Sequence, residues 1–246
     1  MTAHAAASPS SAEMWMNCPA SITKSAGMTR PSSRYAREGT AAHTIAEMII
    51  GGCLWPPGKI TIEGEQFIVG LPMLRALNPY IDYVQGLQAK TKDVHVEQRV
   101  KIGNGALVWG TADCAALDGE DLYIADLKYG MGVPVSPDSA QLMIYALAAI
   151  DTLWRRRLVS TVTLTVIQPR LDPVPKSVRL DPVLLAHRTS VSRLVNLGVA
   201  RLVQMLKLLE RAHFPLSPAR YWRISLRLWS YLACAATRLL VPSEWK

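Results

Sequence analysis

The chain has 246 residues and a formal net charge of +8, with half of its residues apolar and 19% charged. This is enough apolar material for a sizeable core, and it excludes a disordered tail, a collagen-like fibre and a disulfide-rich miniprotein. Four scattered cysteines (Cys18, Cys53, Cys114 and Cys234) form neither a disulfide framework nor a paired zinc spacing, and read as reduced intracellular thiols.

Residues 1–33 are rich in Ser, Ala and Pro, with a short helix expected near 11–18. Apolar spacing predicts a helix over 34–50, stopped by Gly51-Gly52, and Trp55-Pro56-Pro57-Gly58 reads as a loop. A second helical pattern covers 72–90. Val94 to Val100 alternates like a half-buried strand. Strands over 107–117 and 122–128 flank Asp118-Gly119-Glu120-Asp121, a hairpin signal. Ser136-Pro137-Asp138 predicts a helix start, with the helix running to about 155. A β-rich run over 161–167 follows, then a long helix over 181–213. The order implies one α/β domain with a central mixed sheet of about four strands flanked by helices. Its last two strands would be parallel, joined by a right-handed crossover. The expected organisation is an irregular N-terminal segment (1–33), the α/β domain (34–213) and a basic Trp/Arg-rich tail (214–246).

No apolar run reaches the ~18–20 residues of a membrane span. The N-terminus lacks a basic segment followed by an apolar one, so neither a signal peptide nor a membrane partner is expected, and the location reads as cytoplasmic. Residues 1–150 carry 11 Lys/Arg and 14 Asp/Glu; residues 151–246 carry 16 and 5. A basic second half suits a polyanion such as nucleic acid, although a solvated basic surface would look the same.

The chemistry concentrates on the hairpin. Pairing Leu117 with Leu122 makes facing residue numbers sum to 239, so Asp113 lies opposite Asp126. A slightly tighter turn makes them diagonal neighbours on the same face, about 5–8 Å apart. Lys128, two residues on, shares that face. Facing like charges destabilise a sheet, and a divalent cation is the simplest compensation. Gln141 and Tyr145 share one helix face, as do His43 and Glu47. His43 could complete a metal shell, and an imidazole ligand favours Mn²⁺ over Mg²⁺. Singly, each residue has a bland reading: a solvated Asp, a packed His, a polar helix shoulder. Their order and spacing are far more specific.

Asp113, then Asp126-Leu127-Lys128, then Gln141-x-x-x-Tyr145, with His43 upstream, resembles the PD-(D/E)XK nuclease superfamily in its RecB-like branch. The proline of the superfamily name is replaced here by Ile124-Ala125 before Asp126. Several stretches are similar to a phage and prophage family of that branch: Ser8-Pro-Ser-Ser-Ala, Asn17-Cys-Pro, Glu38-Gly-Thr-Ala-Ala-His43, Trp109-Gly-Thr-Ala-Asp113, Asp126-Leu-Lys-Tyr-Gly130 and Gln141-Leu-Met-Ile-Tyr145. The resemblance covers about 4–170. It implies a restriction-endonuclease-like core and a metal-dependent deoxyribonuclease, an exonuclease of phage-type recombination or DNA processing. The alternative is a non-catalytic DNA-binding accessory module that keeps the fold.

The resemblance also implies roles. Asp113, Asp126, the Leu127 carbonyl and His43 would hold Mg²⁺ or Mn²⁺. Lys128 would position water or neutralise the scissile phosphate. Gln141 and Tyr145 would orient Lys128 and the DNA backbone. Glu97 is either a supporting carboxylate or a surface one, and Glu47 is a weaker candidate. The implied partner is DNA, with a phage recombinase or single-strand-binding protein as further candidates. Some relatives hold an iron–sulfur cluster through one N-terminal and three C-terminal cysteines. Cys18 fits the first position, but Cys234 stands alone, so no cluster is expected. Residues 211–243 contain no acid and interleave Trp with Arg, which suits either a single-strand clamp or a divergent tail.

Overall fold

A computed structural model of the chain describes residues 5, 7–18, 20–25, 31–103, 108–182 and 185. The expected helix over 181–213 lies almost wholly outside these, as does the whole tail 214–246. A 3-10 turn (Pro9–Ser11) leads into α1 (Ala12–Asn17) and α2 (Ala20–Ser25). Helix α3 (Arg34–Ile50) has the expected bounds for local reasons. The Ser33 hydroxyl caps its start by accepting from Ala36 N at 3.2 Å. At its end Gly52 takes φ +95°, and Cys53 N donates back to Met48 O at 2.9 Å, a Schellman closure.

The sequence reading passes over the next element. Strands β1 (Lys59–Ile62) and β2 (Glu65–Ile68) form a separate hairpin whose turn residues, Glu63 and Gly64, both have positive φ. This is the backbone a tight two-residue hairpin turn requires. Helix α4 (Leu71–Lys90) follows, then β3 (Val94–Lys101), β4 (Trp109–Asp118) and β5 (Asp121–Leu127). Gly119, at φ +60°, makes the β4–β5 turn. Helix α5 (Ala140–Thr152) starts at Ser139 rather than Ser136 and stops short of 155. Ser136 and Ser139 instead close a turn before it, with Ser139 N donating to Ser136 O.

Strand β6 (Thr161–Gln168) pairs parallel with β5, as expected. A fifth strand, β7 (Asp172–Leu180), adds an antiparallel edge, so the sheet has five strands rather than four, in the order β3-β4-β5-β6-β7. Pro173 and Pro175 hide this strand from a propensity reading. They are tolerated because an edge strand has one row of N–H groups with no partner to serve.

The sheet separates two cores. Val100, Ala112, Ala115, Leu117, Leu122 and Ile124 pack under α5 and α1, including the buried Trp15. Cys114, Ala116, Ala125 and Leu127 pack under α3 and α4 on the other side. This is an α/β fold with a mixed sheet flanked by helices. No helix among the described residues is long and apolar enough to cross a membrane. Cys114 is buried, and burial and the Asp113 charge push its thiol up to about 12, whereas Cys53 is half-buried.

Candidate metal centre

The β4–β5 register pairs Leu117 with Leu122 and Cys114 with Ala125, the sum of 239 that the hairpin predicts. Continued by one step, it sets Asp113 against Asp126. The β3–β4 register sums to 210, which sets Glu97 against Asp113 between the pairs Val96–Cys114 and Gln98–Ala112. Glu97, Asp113 and Asp126 thus occupy one row across three adjacent strands. Sequence reasoning left Glu97 undecided. The signal was present, since the same register arithmetic applied one strand earlier would have found it.

The sheet is irregular along that row. Val94 and Val96 face the α3/α4 core, whereas Val100 faces the α5 core. On β4, Cys114 and Ala116 face α3/α4, whereas Ala112 faces α5. Strict alternation would keep even-numbered residues on one face. Both strands therefore slip by one residue at the same level, and Glu97 absorbs the change with φ +47°. A non-glycine residue in that region is strained and is held there by its surroundings.

Into this opening α3 delivers His43. Its Nδ1 lies 3.0 Å from Glu97 Oε1 and 3.6 Å from Asp113 Oδ1, and its Nε2 lies 3.0 Å from the Leu127 carbonyl oxygen. His43, Glu97 and Asp113 each offer a ligand atom within 4.8 Å of the others. Asp113 Oδ2 accepts the Leu127 backbone N–H at 2.7 Å, which fixes the carboxylate.

Asp126 is almost fully buried on the α5 side. Its Oδ1 accepts from Lys128 Nζ at 3.0 Å and from Gln141 Nε2 at 3.2 Å. Gln141 Oε1 in turn accepts from Lys128 Nζ at 3.3 Å. The hydroxyl of buried Tyr145 hydrogen-bonds to Gln141, and its ring packs beside Gly110. The structure therefore brings together His43, Glu97, Asp113, Asp126, Leu127, Lys128, Gln141 and Tyr145. Glu47 is not among them: it is exposed, one turn further along α3.

The electrostatics are those of a site short of positive charge. Burial raises the Asp113 carboxyl above its ordinary range, and the Glu97 charge adds to this, while His43 and Lys128 pull the other way. Asp126 is raised to about 6 by burial and the Asp113 charge, against Lys128. Burial alone would lower the His43 imidazole; the Asp113 charge and the hydrogen bond to Glu97 outweigh it and hold it up to about 9. A protonated His43 donates from both ring nitrogens, one to Glu97 and one to Leu127 O.

A metal fits this donor set. The second oxygen of Asp126, Oδ2, is buried 2.9 Å from Lys128 Nζ but accepts no hydrogen bond. Buried carboxylate oxygens are rarely left so. Carboxylate and carbonyl oxygens suit Mg²⁺, and one imidazole extends the choice to Mn²⁺.

Residues 4–192 match a protein family of unknown function, DUF2800. The chain belongs to the DUF2800 family. All eight residues of the cluster lie inside the DUF2800 match. Among solved structures, that of SSO0001 is similar at 14% identity and a TM-score of 0.25, over 76% of this chain and 88% of that one. A likeness that slight carries no argument.

Proposed function

We propose that this DUF2800 protein is a divalent-metal-dependent deoxyribonuclease of the PD-(D/E)XK type, RecB-like branch, acting as an exonuclease in phage-type recombination or DNA processing. The observation that carries this is the row Glu97–Asp113–Asp126, closed by His43 on one side and by Lys128 on the other. Three carboxylates share one row against only two cations, His43 and Lys128, and Asp126 Oδ2 accepts no hydrogen bond.

In this reading Asp113, Asp126, the Leu127 carbonyl and His43 hold Mg²⁺ or Mn²⁺, with Glu97 as a further ligand or as the group that orients His43. The cation would polarise a water and offset charge developing on the phosphate. Lys128 presents its ammonium beside Asp126, where it can orient that water or neutralise the scissile phosphate. Gln141 holds Lys128 through Oε1 and Asp126 through Nε2. Tyr145, raised above its ordinary range by burial and by the Asp113 and Asp126 charges, stays protonated and buttresses Gln141.

The test uses end-labelled linear and circular DNA with Mn²⁺, with Mg²⁺ and with chelator. Metal-dependent loss of linear DNA alone, abolished by Lys128→Ala, is the expected result. Binding without cleavage under every metal would overturn the enzyme reading in favour of an accessory module.

A further inference from the structure

Past the slip at Glu97 and Asp113, the odd-numbered residues of β3 and β4 turn to the α3 side, the side from which His43 enters. These are Arg99, Lys101, Trp109 and Thr111, and the register pairs Arg99 with Thr111 and Lys101 with Trp109. Arg99, Lys101 and Thr111 are exposed and Trp109 is half-buried. The Arg99 guanidinium lies over the Trp109 indole, 3.9 Å from its centroid. Arg99 has no carboxylate partner among the described residues. Its charge is therefore not neutralised by any described residue, and its guanidinium lies on the ring beneath it.

We infer that this pair is a seat for an unpaired DNA base, and that the substrate is a single strand or a frayed end, an inference that rests on the nuclease reading above. At ~3.4 Å per residue, Arg99–Thr111 lies about 7 Å from the Glu97–Asp113 level and Lys101–Trp109 about 14 Å from it. That is the reach of the nucleotides next to one whose phosphate sits at the metal cluster. A base stacks on a guanidinium plane or an aromatic face only if its own stacking neighbour has left, which duplex bases do not allow. The indole below and a base above would sandwich the guanidinium, while Lys101 supplies charge to the backbone. A purely structural cation–π pair would account for the stacking but not for two exposed cations on the His43 side of the sheet that have no carboxylate partner among the described residues.

The test measures binding rather than cleavage, so that its outcome is separate from catalysis. Fluorescence anisotropy follows a labelled single-stranded oligodeoxynucleotide and a blunt duplex of the same sequence, both in chelator, with wild type, Arg99→Gln and Trp109→Ala. The expected result is that Arg99→Gln and Trp109→Ala each weaken single-strand binding about tenfold, the size of one lost base stack. Duplex binding should be unchanged. Trp109→Phe, which keeps an aromatic face, recovers most of the loss and shows that Trp109→Ala did not act by unfolding. Equal single-strand affinity in Arg99→Gln and wild type overturns the proposal. So does equal loss on single strand and duplex, which would mark a general phosphate contact, and so does a wild type that binds no single strand. Should the pair prove necessary for binding while no metal supports cleavage, the nuclease reading fails and the base seat stands.

Discussion

Asp126→Asn tests the claim that the carboxylate row is held at a cost to the fold. The carboxyl moves from its ordinary 3.8 to about 6, because burial and the Asp113 charge disfavour its ionised form. About two pH units correspond to ~3 kcal/mol of destabilisation once the group is ionised. The sign follows from linkage. The folded-state value lies above the unfolded one, so between the two the folded protein binds more protons, and stability falls as pH rises through that window. Asparagine keeps an oxygen to accept from Lys128 and Gln141 but cannot ionise. Part of the gain is lost because its amide faces the Lys128 ammonium. The expected net effect in chelator at pH 7.5 is a stabilisation of about 1–2 kcal/mol, or roughly 2–8 °C in Tm for a chain of this size. The gain should shrink towards pH 5, where wild-type Asp126 is itself mostly protonated. Mn²⁺ should then raise the Tm of wild type and not that of the variant. Melting curves by circular dichroism at the two pH values, with chelator and with Mn²⁺, give all these numbers. An Asp126→Asn protein that melts below wild type in chelator at pH 7.5 would refute the reasoning, since Asp126 would then be a net stabiliser of the empty site.

His43 makes metal binding compete with a proton. With its folded value at about 9, Mn²⁺ affinity should rise up to about tenfold per pH unit between pH 6.5 and 8.5; a flat profile in isothermal titration would remove His43 from the ligand set. In metal-free protein the same shift stabilises the fold fully below pH 6.5 and is lost as pH rises through about 9. Glu97→Gln removes a charge that holds the His43 proton, so the imidazole should titrate lower by NMR, and Mn²⁺ should bind about tenfold more weakly; an unchanged His43 titration would show that the 3.0 Å contact carries no charge coupling. At Gly110 a Cβ would lie 3.1 Å from the Pro9 ring and from Tyr145 Cε1. Gly110→Ala should therefore cost about 1–3 kcal/mol by overpacking, and a variant as stable as wild type would mean that the N-terminal segment gives way freely.

Much of this was legible in the sequence because it depends on local rules. The Leu117–Leu122 register follows from a short turn with Gly119, and it carries Asp113 to Asp126 by counting alone. Helix α3 was legible from its Gly-Gly stop, and that placed His43. The missed elements each broke a local rule for a tertiary reason. Strand β7 holds two prolines that only a sheet edge accepts. Hairpin β1–β2 is too short to show a period, and its turn is announced only by Glu63-Gly64. The start of α5 was misplaced because Ser136-Pro137-Asp138 is as good a turn signal as a helix start. Glu97 was undervalued because its position depends on a face inversion shared by two strands, which no single-strand pattern reveals.

That inversion explains why the cluster can exist. In a regular antiparallel sheet Glu97, Asp113 and Asp126 would stand side by side, each facing like charge at close range. The slip at Glu97 and Asp113 turns the row instead, so that Glu97 and one oxygen of Asp113 meet the imidazole of His43 from α3. Asp126 meets Lys128 and Gln141 on the α5 side. Two internal cations thus stand against three carboxylates, and the Leu127 peptide links the halves, donating its N–H to Asp113 and offering its carbonyl to His43. Replacing the His43 proton by a divalent ion raises the positive charge by one, which brings the count to balance. The site carries one negative charge too many when Asp126 is ionised, and either a proton on Asp126 or a divalent ion in place of the His43 proton restores the balance. At neutral pH, above the Asp126 value, a divalent cation is the ligand that restores the balance, and the nuclease reading proposed above depends on that cation.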